Sequence, residues 1–207
     1  MREDRQNRRL RAIRATGLRE TAPPGDLRLA APLALARGRL HEALGESADS
    51  LALAAAAGAA GPLVWIGLKR DMASLAPTGL QGYADPARFL LVSGQDRSEL
   101  LWAAEQALRA RAAPCVILEL KDGPDLRESR RLQLAAGESG ALGLVLVRGQ
   151  ARTSAAETRW QCDAAPGGGW TWICTKSRRG PPGAWHVSWK GRSHAPDLVA
   201  LAAPASA

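Results

Sequence analysis

The sequence predicts one α/β domain with a mostly parallel, twisted sheet, helices on both of its faces and an antiparallel extension at the C-terminal end. Continuous apolar runs alternate with helical stretches from residue 40 to residue 147, which is typical of buried parallel strands joined by helical crossovers. After Arg148, strand-like stretches follow one another without helices between them. The length of 207 residues suits a single domain with short tails.

The parallel part of the sheet is predicted from apolar periodicity and from residues that start and stop helices. Asp96 or Ser98 starts a helix that Pro114 stops, and Gly140 ends the next helix. The predicted strands and helices, in chain order, are strand 40–44, helix 51–60, strand 62–68, strand 89–92, helix 98–113, strand 115–120, helix 126–138 and strand 142–147.

The antiparallel extension is predicted from tryptophans that alternate, or nearly alternate, with polar residues, since this pattern is typical of half-buried strands. The strands are predicted at 158–163, 170–176 and 184–190, with glycine-rich turns at 167–169 and 180–183. The chain is therefore divided into a basic N-terminal helix and linker (1–25), the α/β domain (26–194) and a flexible Ala/Pro-rich tail (195–207).

Charge and composition narrow the class of partner. The formal net charge is +8 with arginine dominating the surplus, which favours anionic partners, first of all nucleic acid or a protein bound to it. The uncharged stretch 51–68 contains Gly58, Gly61 and Pro62. It is interpreted as a buried helix, a turn and a buried strand rather than a membrane span, and no signal peptide is visible. The expected location is the cytoplasm.

No metal site or disulfide framework is expected. The three cysteines are an odd number without a CxxC pair, and the three histidines are scattered. A reducing compartment fits this usage, and each histidine is interpreted as structural.

The turn after the first parallel strand is where a phosphate-binding loop would lie. Such a loop needs glycines, a lysine for the β- and γ-phosphates and a hydroxyl for magnesium. Gly45 follows the strand correctly, but Glu46 and Asp49 occupy the loop and no lysine is present. Ser50 is either a remnant of the magnesium-binding hydroxyl or a helix N-cap.

The order of several phrases resembles the RecA family. They are LHEALGE, SLALAAAAGAAGPLVWIG, DPARFLLVSGQDRSELLWAAEQALR, CVILEL and LRESRRLQLAAGESGALGLVLVR. Together with ETRW, they resemble more closely the ImuA family, RecA-like accessory proteins of an SOS-inducible mutagenesis cassette that are broadly related to SulA-type division inhibitors. The resemblance covers roughly residues 36–192 and implies a RecA-like fold for the domain.

The resemblance implies a degenerate nucleotide site at Gly45, Ser50, Lys69 and Glu119, because these positions match those of the nucleotide-site residues in RecA. The Walker A lysine has no counterpart, and Lys69 stands near the place of the glutamate that activates water. Glu119 takes the acidic place at the end of the Walker B strand, either as a magnesium-type ligand or as a buried, paired carboxylate. The resemblance thus implies no enzyme activity, no cofactor and no metal.

Two basic segments are candidate contacts for a partner or for nucleic acid. Lys176, Arg178 and Arg179 lie on a late hairpin, which in RecA-like proteins is near the nucleotide and the subunit interface; the alternative is a solvated turn. The N-terminal segment is either a docking helix or a disordered basic tail. Its candidate contact residues are Arg8, Arg9, Arg11 and Arg14.

The family resemblance implies a non-enzymatic adaptor in SOS-induced error-prone translesion synthesis. It would dock on RecA and on the polymerase-like ImuB partner, with indirect or weak contact with DNA and no membrane. Two alternatives remain open, a weak ATP-binding protein that uses Ser50 and Glu119, and a SulA-type inhibitor of cell division.

Overall fold

A computed structural model describes residues 25–30, 33–72, 75–180, 182–190 and 197–201. The predicted N-terminal helix and its candidate contacts Arg8, Arg9, Arg11 and Arg14 lie outside these residues. The strands of the described part are β1 (Leu27–Ala30), β2 (Leu33–Leu35), β3 (Leu40–Leu44), β4 (Leu63–Leu68), β5 (Phe89–Gly94), β6 (Cys115–Leu120), β7 (Leu142–Val147), β8 (Thr158–Ala164), β9 (Trp170–Ser177), β10 (Gly183–Ser188) and β11 (Asp197–Leu201).

The central sheet has nine strands among the described residues, in the order β11-β10-β9-β8-β3-β7-β6-β4-β5. All pairs from β8 across to β5 are parallel. The pairs β8–β9, β9–β10 and β10–β11 are antiparallel. The predicted fold class is confirmed, because a mostly parallel sheet ends in an antiparallel extension.

Three helices of the described residues differ from their predicted bounds by a few positions, and two further short helices were not predicted. The helices are α1 (Ala48–Gly58), α2 (Lys69–Met72), α3 (Pro77–Leu80), α4 (Arg97–Arg109) and α5 (Leu126–Ser139). Asp96 caps α4 by accepting a hydrogen bond from the Glu99 amide, and Gly140 ends α5 in the left-handed conformation. α4 ends four residues before its predicted end, and the chain then passes through Arg111 at a φ of +57°.

The prediction of a flexible tail is wrong for the residues of β11. Asp197–Leu201 pairs along its whole length with β10, so the domain extends past the predicted boundary at residue 194. An Ala/Pro-rich composition predicts a frayed tail, but an edge strand needs only backbone hydrogen bonds to its neighbour and no strong strand propensity of its own. The small β1–β2 hairpin is also an element that apolar periodicity did not indicate.

Two apolar cores lie on opposite faces of the sheet. One joins α1 and the β1–β2 hairpin to Trp65, Ile117 and Leu144 and continues to Trp172 in the extension. The other joins α4 and α5 to the alternate residues of the same strands, such as Val116 and Val145. Among the described residues, no helix is both long and apolar enough to cross a membrane, and the stretch 51–68 divides into α1, a turn and β4 as predicted.

His41 on β3 is a fully buried polar side chain at the centre of the sheet. Its Nδ1 lies 2.8 Å from Thr158 Oγ1 and its Nε2 lies 2.9 Å from the Ala36 carbonyl oxygen. Burial lowers the pKa of His41 from its ordinary value of 6.5 to about 4, although the bond to Ala36 opposes this shift. The ring is therefore neutral and serves to join β3 to β8.

The close packing of α1 predicts that its buried alanines tolerate no extra volume. Ala55 is fully buried, whereas Ala57 on the same helix is exposed. Ala55→Leu should lower the free energy of unfolding by about 1–3 kcal/mol because the added methylenes have no cavity to fill. Ala57→Leu should stay within about 0.5 kcal/mol of wild type. Denaturant unfolding measures both, and equal effects would contradict the packing described for α1.

The lowered pKa of His41 predicts a pH dependence of stability. The unfolded chain takes up a proton on this ring near pH 6.5 and the folded chain only near pH 4. Folding stability should therefore fall as the pH drops through this window, by up to about 1.4 kcal/mol per pH unit, and be unaffected above it. His41→Gln should show a shallower fall in stability between pH 6.5 and 5 than wild type. If the stability of wild type and that of His41→Gln fall equally steeply with decreasing pH, the pKa of His41 is not lowered by folding.

Candidate functional site

The loop after β3 is folded against the end of β8. Gly45 has a φ of +92°, and a Cβ at this position would lie 2.3 Å from the Cys162 carbonyl oxygen, so only glycine fits. The Ser47 amide donates to the same carbonyl at 3.0 Å. A phosphate-binding loop presents its amides to the ligand, whereas this loop uses one of them to bind its own chain.

Ser50 is buried and has two partners inside the protein. Its hydroxyl donates to the Ser47 carbonyl at 2.6 Å and accepts from Trp172 Nε1 at 2.8 Å. It lies inside the first turn of α1, and Ser47 is at the N-cap position without a side-chain bond, so the N-cap interpretation of Ser50 was wrong. The hydroxyl instead joins the loop to the antiparallel extension.

Arg148 is the residue that sequence reasoning missed. It directly follows β7 and forms a two-pronged ion pair with Asp49, at 3.0 and 2.7 Å, and a second pair with Glu119 at 3.2 Å. Burial would lower the pKa of Arg148, but the hydrogen bond and charge of Asp49, followed by those of Glu119, raise it above its ordinary value. A cation of the chain itself thus lies between the two acids of this edge.

Glu119 is a paired carboxylate. One oxygen accepts a hydrogen bond from Trp65 Nε1 at 2.6 Å and the other faces Arg148. Its side chain is only 11% exposed. Both oxygens are therefore engaged by protein groups.

Lys69 is placed apart from these residues. It is the first residue of α2, at the carboxyl end of β4, and its side chain is exposed without an ion pair among the described residues. The four predicted positions share one edge of the sheet, because the carboxyl ends of parallel strands meet there. Of the four, only Glu119 contacts Arg148 directly, while Ser50 joins the loop to the extension.

The predicted basic hairpin lies at the opposite edge of the sheet. Ser177 at the end of β9 pairs with Thr158 at the start of β8, so the hairpin follows the amino ends of the parallel strands. The hairpin therefore lies away from the candidate nucleotide site, whereas the comparable hairpin of RecA-like proteins is near the nucleotide.

The three basic side chains of this hairpin have partners within the chain. Lys176 Nζ donates to the Ser154 carbonyl at 2.8 Å, and burial lowers the pKa of this lysine. Arg178 Nε donates to the Ala156 carbonyl at 3.4 Å. Arg179 pairs with Glu157 at 3.2 Å and with Asp26 at 3.7 Å. These contacts fasten the segment before β8 to the extension and leave the terminal nitrogens of Arg178 without a partner among the described residues.

The cysteines are buried thiols. Burial raises the pKa of Cys115 to about 12 and that of Cys174 to about 11, so both stay protonated at neutral pH. Cys162 is likewise buried and reduced, with a raised pKa. Among the described residues, no group of three or more His, Cys, Asp or Glu side chains is placed to hold a metal ion.

Comparison with known proteins identifies relatives by sequence and a neighbour by fold. The chain is 32% identical over 159 residues to Protein ImuA from two strains of Caulobacter vibrioides, a match that covers 66% of this chain and 64% of the relatives. No protein-family model matches. The crystal structure of the RadB recombinase superposes with a TM-score of 0.54 at 13% identity, over 74% of this chain and 89% of that one. These matches confirm the resemblance to ImuA and the RecA-like fold.

The ion pairs of Arg148 predict a loss of stability when the guanidinium is removed. Arg148→Ala should lower the free energy of unfolding by about 1–2 kcal/mol, since it leaves the nearly buried Glu119 with one partner while the half-exposed pair with Asp49 contributes less. Arg127→Ala removes an exposed arginine without an ion pair among the described residues and is the matched control. If the two variants unfold at the same denaturant concentration, Arg148 does not stabilise this edge.

Proposed function

We propose that this chain, a homologue of ImuA with a RecA-like fold, is a non-enzymatic adaptor in SOS-induced error-prone translesion DNA synthesis. It would act in the cytoplasm by docking on RecA and on the polymerase-like ImuB partner. The chain spans 64% of the length of the ImuA relatives it matches, and the proposal concerns this part. Contact with DNA would be indirect or weak.

The observation that carries the non-enzymatic part is the ion-pair cluster of Arg148, Asp49 and Glu119. A nucleoside triphosphate bound beside this edge would have to displace Arg148 from the carboxylates of Asp49 and Glu119. Its phosphates would then face both of these negative charges. Phosphoryl transfer depends on cations and amides that are aimed at the phosphates. Here Arg148 is already paired with two carboxylates, and the loop contains Glu46 and Asp49 in place of a lysine.

The adaptor part is supported by homology and by surplus charge. A net charge of +8 favours an acidic protein face or a nucleoprotein as the partner. Because the edge that would hold nucleotide is closed by internal contacts, docking would use the RecA-like shape without a nucleotide-dependent step.

The proposal predicts that the purified chain neither binds nor hydrolyses ATP and that it captures its partners from DNA-damaged cells. Fluorescent ATP should show no saturable binding to wild type or to Glu119→Ala. A tagged chain should co-purify RecA and the ImuB-like protein, and an unrelated basic protein with the same tag controls for charge.

Two outcomes would overturn this proposal. Micromolar ATP binding that is lost in Glu119→Ala would make the chain a nucleotide-binding protein. Capture of neither partner, with the tagged chain folded, would remove the adaptor role.

A further inference from the structure

A groove with a volume of about 310 Å³ runs beside the outer face of α5. It lies between this helix and the segment that leads into β8, and we call it the α5 groove. Its wall residues include Arg39, Leu126, Arg130, Leu134, Glu157 and Arg178. The volume is at the lower end of the ~300–1,000 Å³ of ligand pockets, which suits a few side chains of a peptide.

The apolar part of the α5 groove is exposed. Leu126 and Leu134 are 53% and 57% accessible, although both lie on a helix that packs its other face on the core. They are eight residues apart on α5, a separation of about 12 Å along the helix axis. Scattered exposed leucines are common on protein surfaces, but these two line one concave site.

The walls of the α5 groove are held in place before any partner arrives. Gln133 accepts from the Leu40 amide at 2.9 Å and donates to the Gly38 carbonyl at 3.2 Å. Across the groove, Ser129 Oγ accepts from the Ala155 amide at 2.8 Å, which fixes the segment before β8 on α5. A groove with fixed walls costs little conformational entropy to occupy.

Positive charges outnumber negative charges among the residues that line the α5 groove. Its walls contain the arginines Arg39, Arg130 and Arg178 and one acid, Glu157, which already pairs with Arg39 and Arg179. Arg130 is exposed and has no ion pair among the described residues. Arg178 uses only its Nε, in a bond to the Ala156 carbonyl. Guanidinium groups with unengaged donors are suited to bind carboxylates in two-pronged pairs.

We infer that the α5 groove binds an acidic peptide segment of a partner protein, with leucine-like side chains over Leu126 and Leu134 and carboxylates on Arg130 and Arg178. This inference rests on the proposed adaptor role and names the chemistry of the partner segment. The basic N-terminal segment of this chain has the wrong charge to fill the groove. Nucleic acid would match the arginines but would leave the leucines without an apolar partner.

The test uses the full chain and a short fluorescein-labelled peptide in which glutamates alternate with leucines, followed by fluorescence anisotropy. Arg130→Glu and Leu134→Gln should each weaken binding about tenfold, as expected for truncating an anchor at an interface. Arg127→Glu makes the same charge change on the same helix but outside the groove wall. Leu90→Gln makes the same apolar-to-polar change on β5, and both controls should bind like wild type.

Peptides with serine for leucine, or with lysine for glutamate, should bind at least about tenfold more weakly than the acidic leucine peptide. The inference is overturned if the wild-type chain does not bind the acidic leucine peptide, or if Arg127→Glu weakens binding as much as Arg130→Glu. It is also overturned if a single-stranded oligonucleotide binds the groove with the same loss in Arg130→Glu and no loss in Leu134→Gln, because that pattern identifies a phosphate site.

The two proposals fail in different ways. If wild type and Arg130→Glu capture the same partners from damaged cells, the adaptor role stands and the α5 groove is not its docking site. If wild type captures neither RecA nor the ImuB-like protein but binds the peptide through the groove, the adaptor role fails and the groove remains a peptide site.

Discussion

The guanidinium of Arg148 joins the elements that converge on the carboxyl edge of the sheet. It extends from β7, pairs with Asp49 on α1 and pairs with Glu119 on β6. Through Glu119 and its hydrogen bond to Trp65 the connection reaches β4. Trp65 in turn packs on Phe89 of β5, with ring centroids 6.2 Å apart. The side chain of Arg148 thus connects four strands and the helix that follows the loop, either directly or through Glu119 and Trp65.

Under the proposed function, the internal contacts of this cluster would take the place of a nucleotide and its metal. Two acids close together at a strand edge repel one another, and a bound cation relieves the repulsion. In this chain the cation is the side chain of Arg148, directly after β7, and it pairs with both acids. Ser50 supports the same arrangement from the other side, because its hydroxyl holds Trp172 of the extension against the loop.

The sequence predicted most of the parallel sheet because each buried strand is a local apolar run bounded by turn residues. What it could not predict are contacts between distant residues. Arg148 and Asp49 are separated by 99 positions, and Glu42 finds Arg159 at a separation of 117. The sequence placed Glu119 at a strand end but left open whether it binds metal or a side chain. The position of the basic hairpin depends on the order of the strands in the sheet, and β11 forms by pairing with β10. Neither the strand order nor this pairing has a local signature in the sequence.

The proposed loss of nucleotide chemistry and the proposed peptide groove concern opposite edges of the sheet. The closed cluster lies at the carboxyl ends of the parallel strands, whereas Arg39, Glu157 and Arg178 of the α5 groove lie near their amino ends. A partner that docks in the groove would meet preformed walls whether or not the opposite edge ever held a nucleotide. The affinity of such an adaptor would depend on the surface of the groove and not on the concentration of a cofactor.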